Sequence, residues 1–334
     1  MKEGIFMSRK IFVSLFTLFL MALSVSSCMA GVEEHIDVKI SVSDIPMSND
    51  KVLIRKDILF ARYDAWPQAD LTMDIYSPSD SGNAKHPAVI LIPGGCWITA
   101  PKSAWSQMCM KLAENNFIAA GIEYRVIGAA DYTEIIGDVK AAVRYLRAHA
   151  DELHIDANKI AVMGASAGGY LAVMLGVTGN TDKFTFGDNL NHGSNVQAVI
   201  DCFGPTDLTR TADDYSDEKK ELYYSPSSFI SIFVNGVAGY KNRKGGSIRD
   251  NHERSEDANP LNYIDKDTPP FLIFHGNNDK TVSLSQSKIL HDALTEKGID
   301  SSFYIINGGE HEAAYFHQPE IVKIITDFLN RVLK

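Results

Sequence analysis

Residues 160–171 read IAVMGASAGGYL, and few short stretches constrain a chain so tightly. Ile160, Ala161, Val162 and Met163 form a short strand-like run, while Tyr170, Leu171, Met174 and Leu175 recur at helical spacing. Ser166 therefore stands where the backbone must reverse sharply from strand to helix. Such a turn crowds its side chains, and Gly164 and Gly168 relieve the crowding.

The rest of the chain supplies the sheet that such a turn requires. Val52–Tyr63 and Leu71–Tyr76 read as edge strands, and Ala88–Ile92 (AVILI) is a continuous apolar run of the kind buried on both faces. A helix over Trp105–Glu114 and a strand over Phe117–Tyr124 follow. Within 135–153, Ile135, Ile136, Val139, Ala142, Val143 and Leu146 share one helical face. After the strand ending at Met163 and the helix beyond Ser166 come strands at Val196–Phe203, Pro270–His275 and Ser302–Ile306. A helix over Ser285–Lys297 is stopped by Gly298, and Pro319 opens a closing helix with Ile321, Ile324, Ile325 and Phe328 as its stripe. This alternation predicts an α/β fold, a mostly parallel central sheet with helices on both faces. Residues 209–259 break the rhythm. Too long for a connection and too apolar for a linker, they read as a cap-like insertion over the site; a surface excursion without a catalytic role is the alternative.

With 334 residues, 45% apolar and 22% charged, the chain can bury a full core. Arg9 and Lys10 precede the apolar run Ile11–Val25, the pattern of a secretory signal and short for a membrane span. Residues 1–27 are read as the signal and 28–50 as a linker. Val25-Ser26-Ser27-Cys28 resembles a bacterial lipoprotein box, with Cys28 the lipidated residue and a membrane attachment; cleavage after Ala30 is the alternative. Either way the protein is expected to be exported, to the periplasm or cell surface, or otherwise secreted. Of the formal charge of −10, residues 1–27 contribute +2, leaving −12 on the remainder, which argues against nucleic acid as a partner. Cys96, Cys109 and Cys202 show no metal-ligand spacing and no disulfide framework; scattered cysteines of this kind default to small buried hydrophobes.

Gly164-Ala165-Ser166-Ala167-Gly168 fits the G-x-S-x-G nucleophile elbow in its required strand–turn–helix context. The helix N-terminus would favour negative charge developing beside the hydroxyl. A serine is a weak nucleophile unless a base takes its proton and a third group orients that base. Asp279 follows the strand PFLIFHG at its carboxyl end, where open α/β sheets build their sites. His311 lies on a glycine-loosened loop (Gly308-Gly309-Glu310-His311) before the last helix, completing the order Ser, Asp, His. Glu312, next to His311, is expected to raise the imidazolium pKa by proximity.

From about residue 50 to the end the chain resembles the α/β-hydrolases of the esterase/lipase group that includes hormone-sensitive-lipase-like and feruloyl or acetyl esterases. The resemblance rests on LTMDIYSP (71–78), PAVILIPGGCW (87–97), EYR (123–125), residues 137–172, FGPTDL (203–208) and PPFLIFHGNNDKTVSLSQSKIL (269–290). It implies an α/β-hydrolase domain over 51–334 and an oxyanion hole from the backbone N–H groups of Gly95, Cys96 and Ala167. Two departures stand out: Pro93 replaces the histidine that commonly braces this loop, and Cys96 replaces its third glycine. The implied activity is serine carboxylic-ester hydrolysis through an acyl-enzyme, with no metal or organic cofactor. Acetyl or feruloyl esters, on small molecules or plant polysaccharides, are the expected substrates. Trp97 is a candidate substrate-binding residue, with Tyr223, Tyr224, Phe229 and Phe233 as further candidates for an acyl or sugar pocket. A peptidase or lipase of the same fold, and a weakly catalytic glycan-binding surface lipoprotein, remain alternatives.

Overall fold

The computed structural model describes residues 51–63, 69–79 and 84–333. The expected signal segment, Cys28 and the linker 28–50 lie outside them. Eight strands, β1 (Val52–Tyr63), β2 (Ala69–Pro78), β3 (His86–Ile92), β4 (Ile118–Ile122), β5 (Ile155–Ala165), β6 (Ala198–Cys202), β7 (Phe271–Gly276) and β8 (Ser301–Ile306), form one sheet. Its order is β1-β2-β4-β3-β5-β6-β7-β8. β1, β2 and β4 pair antiparallel, and every pair from β4 to β8 is parallel. Only β1 of the two expected edge strands lies at an edge, because β2 hydrogen-bonds to β4 as well.

The parallel strands carry the core. β4, β6 and β7 are buried throughout, as are Ala88–Ile92 in β3. Apolar side chains alternate between two layers, Ile90 and Ile92 on one face of β3 and Val89 and Leu91 on the other. Helices α1 (Ser106–Glu114), α2 (Tyr132–Ala148), α3 (Ala167–Thr178), α7 (Leu284–Glu296) and α8 (Pro319–Val332) accompany the sheet. The first layer takes α2 and α3, the second α1 and α8. α2 starts on a capping box between Asp131 and Glu134. It ends at Ala148, five residues before the expected limit; the chain turns at His149, and Leu153 reaches the core from that turn. α3 is buried at every position, so its apolarity has no single face.

Topology fixes where a site can form. From β3 the chain crosses to β4 on one side and later to β5 on the other, so the connections after β3 and β5 diverge. Crevices open at the carboxyl ends of strands where the order reverses in this way. The 209–259 excursion folds as α4 (Asp217–Tyr224), α5 (Phe229–Asn235), α6 (His252–Asp257) and two 3₁₀ turns, and reaches that crevice. Arg243 and Arg254 both pair with Asp131 at the start of α2, and the Tyr170 hydroxyl donates to Ala258 C=O at 2.6 Å.

Candidate active site

The elbow follows β5. Ser166 sits at φ 53°, ψ −123°, its N–H donating to Cys202 C=O at 2.9 Å and its C=O accepting from Tyr170 N–H at 3.1 Å. A non-glycine residue there is strained, by roughly 1–3 kcal/mol, and persists because the surroundings dictate it. The two glycines are explained by contact distances. A Cβ on Gly164 would lie 2.1 Å from Gly168 O, and one on Gly168 would lie 2.3 Å from Ile92 O.

The structure brings Ser166, Asp279 and His311 together from three separate loops. Asp279, in the turn after β7, accepts Thr281 N–H (2.8 Å) and Val282 N–H (2.9 Å) at Oδ1. Its Oδ2 faces His311 Nδ1 at 2.7 Å, and His311 Nε2 faces Ser166 Oγ at 2.9 Å. The loops carrying the acid and the imidazole are joined directly: Asn278 N–H donates to Gly309 C=O, and Gly308 N–H to Asn277 Oδ1. Phe203, at φ 46° after β6, packs its ring edge-on against His311 at 4.6 Å. Burial of Asp279 works against its charge, but hydrogen bonds from His275, His311 and backbone N–H outweigh it, holding the carboxyl well below its usual range. Asp279 is thus held as a carboxylate against Nδ1 of the imidazole, an arrangement that points Nε2 at the Ser166 hydroxyl. Glu312 is exposed, and among the described residues its side chain makes no hydrogen bond or ion pair with His311.

The loop after β3 passes through three successive residues of positive φ, Gly95 (126°), Cys96 (52°) and Trp97 (57°). Gly95 C=O accepts Ile98 N–H at 2.9 Å and closes the turn. Among the described residues neither Gly95 nor Cys96 spends its N–H on a backbone carbonyl, and Ala167 N–H, in the first turn of α3, has no intrahelical partner. Cys96 and Ala167 line the same cavity as Ser166, with Gly95 one residue behind. The brace that a histidine commonly provides is replaced by two side chains not singled out from sequence: Tyr124 donates to Pro93 C=O (3.0 Å) and Trp105 Nε1 to Ile92 C=O (3.0 Å). Cys96, Cys109 and Cys202 are free thiols, and burial pushes the Cys96 thiol up to about 11.

Counted together with the open solvent at its mouth, the cavity spans about 320 Å³. Trp97, Ala167, Pro205 and Val282 line it, and the insertion supplies Thr211, Tyr223, Phe229 and Ile230. Of the five candidate aromatics, Trp97, Tyr223 and Phe229 line it. Phe233 stacks behind Trp97 with centroids 4.1 Å apart. Tyr224 points elsewhere, accepting Ala212 N–H and lying under Arg249. Among the described residues no cluster of three or more His, Cys, Asp or Glu could hold a metal ion.

A family model described as BD-FAE matches residues 73–294. "Esterase LipC" of Mycobacterium tuberculosis is 27% identical over 66% of this chain and 51% of its own length. "Probable carboxylic ester hydrolase LipM" of the same organism is 30% identical over 72% of this chain and 51% of its own. The chain thus spans about half the length of these curated relatives. A solved structure titled "Truncated form of carbohydrate esterase from gut microbiota" superposes with a TM-score of 0.72 at 26% identity, covering 85% of this chain and 98% of that one.

Proposed function

The chain belongs to the BD-FAE family, and from that premise we propose that it is a serine carboxylic-ester hydrolase with a preference for short acyl groups, acetyl above all. The observation that carries the reading is His311, hydrogen-bonded at once to Asp279 Oδ2 and Ser166 Oγ beside a strained strand–helix turn. Ser166 attacks the ester carbonyl while His311 takes its proton. The tetrahedral oxyanion is received by the N–H groups of Cys96 and Ala167, with Gly95 beside them. His311 returns the proton to the leaving alcohol, and water then releases the acyl group through the same base.

Support for the short acyl group comes from the wall. Pro205, Ile230, Val282, Trp97 and Phe229 offer aliphatic and aromatic carbon, and the hydroxyl protons of the lining residues Thr211 and Tyr223 are already given to Asp207 C=O and Thr281 C=O rather than to a feruloyl phenol. Likeness to a carbohydrate esterase supports an acetylated saccharide as the natural substrate, and the sequence pattern at residues 1–28 supports an exported, lipid-anchored enzyme. The test is a series of p-nitrophenyl esters beside acetylated and feruloylated oligosaccharides, with Ser166→Ala as control. Acetate should be turned over fastest and the control should be inactive. Comparable rates on long-chain esters would refute the acyl preference, and no hydrolysis of any ester would move the reading to a glycan-binding protein.

A further inference from the structure

We propose that His275 is a positioning residue for the Ser166–His311–Asp279 array, holding the same carboxylate oxygen that faces His311. The proposal rests on the esterase reading above. His275, fully buried at the end of β7, has its Nε2 3.0 Å from Val282 C=O and 3.3 Å from Asp279 Oδ2. A carbonyl only accepts, so Nε2 carries the proton and shares it between the carbonyl and the carboxylate. Nδ1 then accepts from the Ser287 hydroxyl at 2.7 Å, which fixes both tautomer and ring orientation.

The consequence is a carboxylate held at both oxygens. Oδ1 is taken by Thr281 and Val282 N–H, and Oδ2 lies between two imidazoles. Turning Oδ2 away from His275 also turns it away from His311. Val282 ties the arrangement together, since its N–H binds Asp279 while its C=O binds His275. The other ionisable groups that face this cluster are Asp201 from β6, His311, and Tyr215, Lys219 and Tyr223 from the insertion.

His275→Leu removes the donor and keeps the bulk, whereas His275→Gln keeps an N–H near the Nε2 position. With p-nitrophenyl acetate, the Leu variant should lose on the order of 10- to 100-fold in kcat with KM little changed, the worth of one hydrogen bond to a charged group. A carboxylate relieved of one donor is more basic toward His311, so the acid limb of kcat/KM should also move up by roughly several tenths of a pH unit. The Gln variant should recover most of both. Wild-type kcat in the Leu variant, an unmoved or lowered acid limb, or a folded Gln variant as impaired as Leu would each overturn the proposal. So would loss of the limb shift in an Asp201→Asn background, which would assign it to that neighbouring acid. Should the Leu variant not fold, the full chain labelled with ¹⁵N-histidine serves instead. Two exchange-protected imidazole N–H protons should shift together on Asp279→Asn, and a response confined to one would refute the link. That readout needs no turnover, so it stays separate from failure of the esterase reading.

Discussion

Gly168→Ala is the substitution whose consequence follows most directly from distances. The added Cβ would lie 2.3 Å from Ile92 O and 2.6 Å from Pro93 O, where real Cβ contacts do not come under 3.0 Å. Both obstacles are backbone, so no side chain can swing aside; α3 and the end of β3 must part by roughly 1 Å, and overpacking of this kind costs about 1–3 kcal/mol. The carbonyls struck are those that Trp105 and Tyr124 use to hold the loop carrying Gly95 and Cys96. Displacing that loop misaims the N–H groups proposed to receive the oxyanion, donors of a kind worth on the order of 10² to 10³ each in turnover. We therefore expect kcat on p-nitrophenyl acetate to fall by roughly that factor and Tm by a few degrees. Gly298→Ala is the control. Gly298 occupies the left-handed position of a Schellman turn after α7, at φ 76° with nothing within 4 Å of a Cβ. It should lose about 1–2 kcal/mol of stability at unchanged kcat. If Gly168→Ala is destabilised like the control yet keeps kcat within about threefold of wild type, the oxyanion loop is not positioned by this contact.

Asp279→Asn should cost about 10⁴ in kcat at neutral pH, because an amide favours the wrong tautomer of His311; a loss below about tenfold, measured by burst-phase kinetics, would contradict the array. Burial raises the Asp201 carboxyl from 3.8 to about 7, against the pull of His275 and Gly204 N–H. A folded-state pKa above the unfolded one means stability that is full below pH 4 and lost as pH rises through about 7. Denaturant unfolding of Asp201→Asn should therefore show a flatter decline from pH 4 to pH 8 than wild type, by on the order of a few kcal/mol, and parallel curves would refute a protonated Asp201. With its thiol at about 11, Cys96 should resist iodoacetamide at pH 8, where about one molecule in a thousand carries the thiolate. Rapid alkylation read by mass spectrometry would show that the loop opens.

Local pattern made much of this molecule legible from sequence. β1 and β8 were found to within a residue, and Pro319 and Gly298 marked a helix start and stop, because period, caps and turn residues act over a few positions. The Ser, Asp and His were readable for the same reason, each ending a strand or opening a loop. Contacts set by tertiary placement were not. Nothing local distinguishes Tyr124 and Trp105 as supports of a loop 13 to 31 residues earlier in the chain. Nor does sequence separate Tyr224, turned onto Arg249, from its neighbour Tyr223, which faces the cavity.

Four of the eleven non-glycine residues of positive φ among the described residues stand at the site. Cys96, Trp97, Ser166 and Phe203 all have positive φ, and they follow β3, β5 and β6 at their carboxyl ends. Each costs energy that a loop free to relax would recover, so something must hold them. The fastenings are visible: Trp105 and Tyr124 on the first loop, Cys202 C=O on the Ser166 N–H, and Phe274 C=O on the Phe203 N–H. Every one originates from a buried strand, its flank or a side chain packed against it. Preorganisation at the site is thus supplied by the stability of the sheet, and variants that loosen β3 or β6 should lose turnover before they lose the fold.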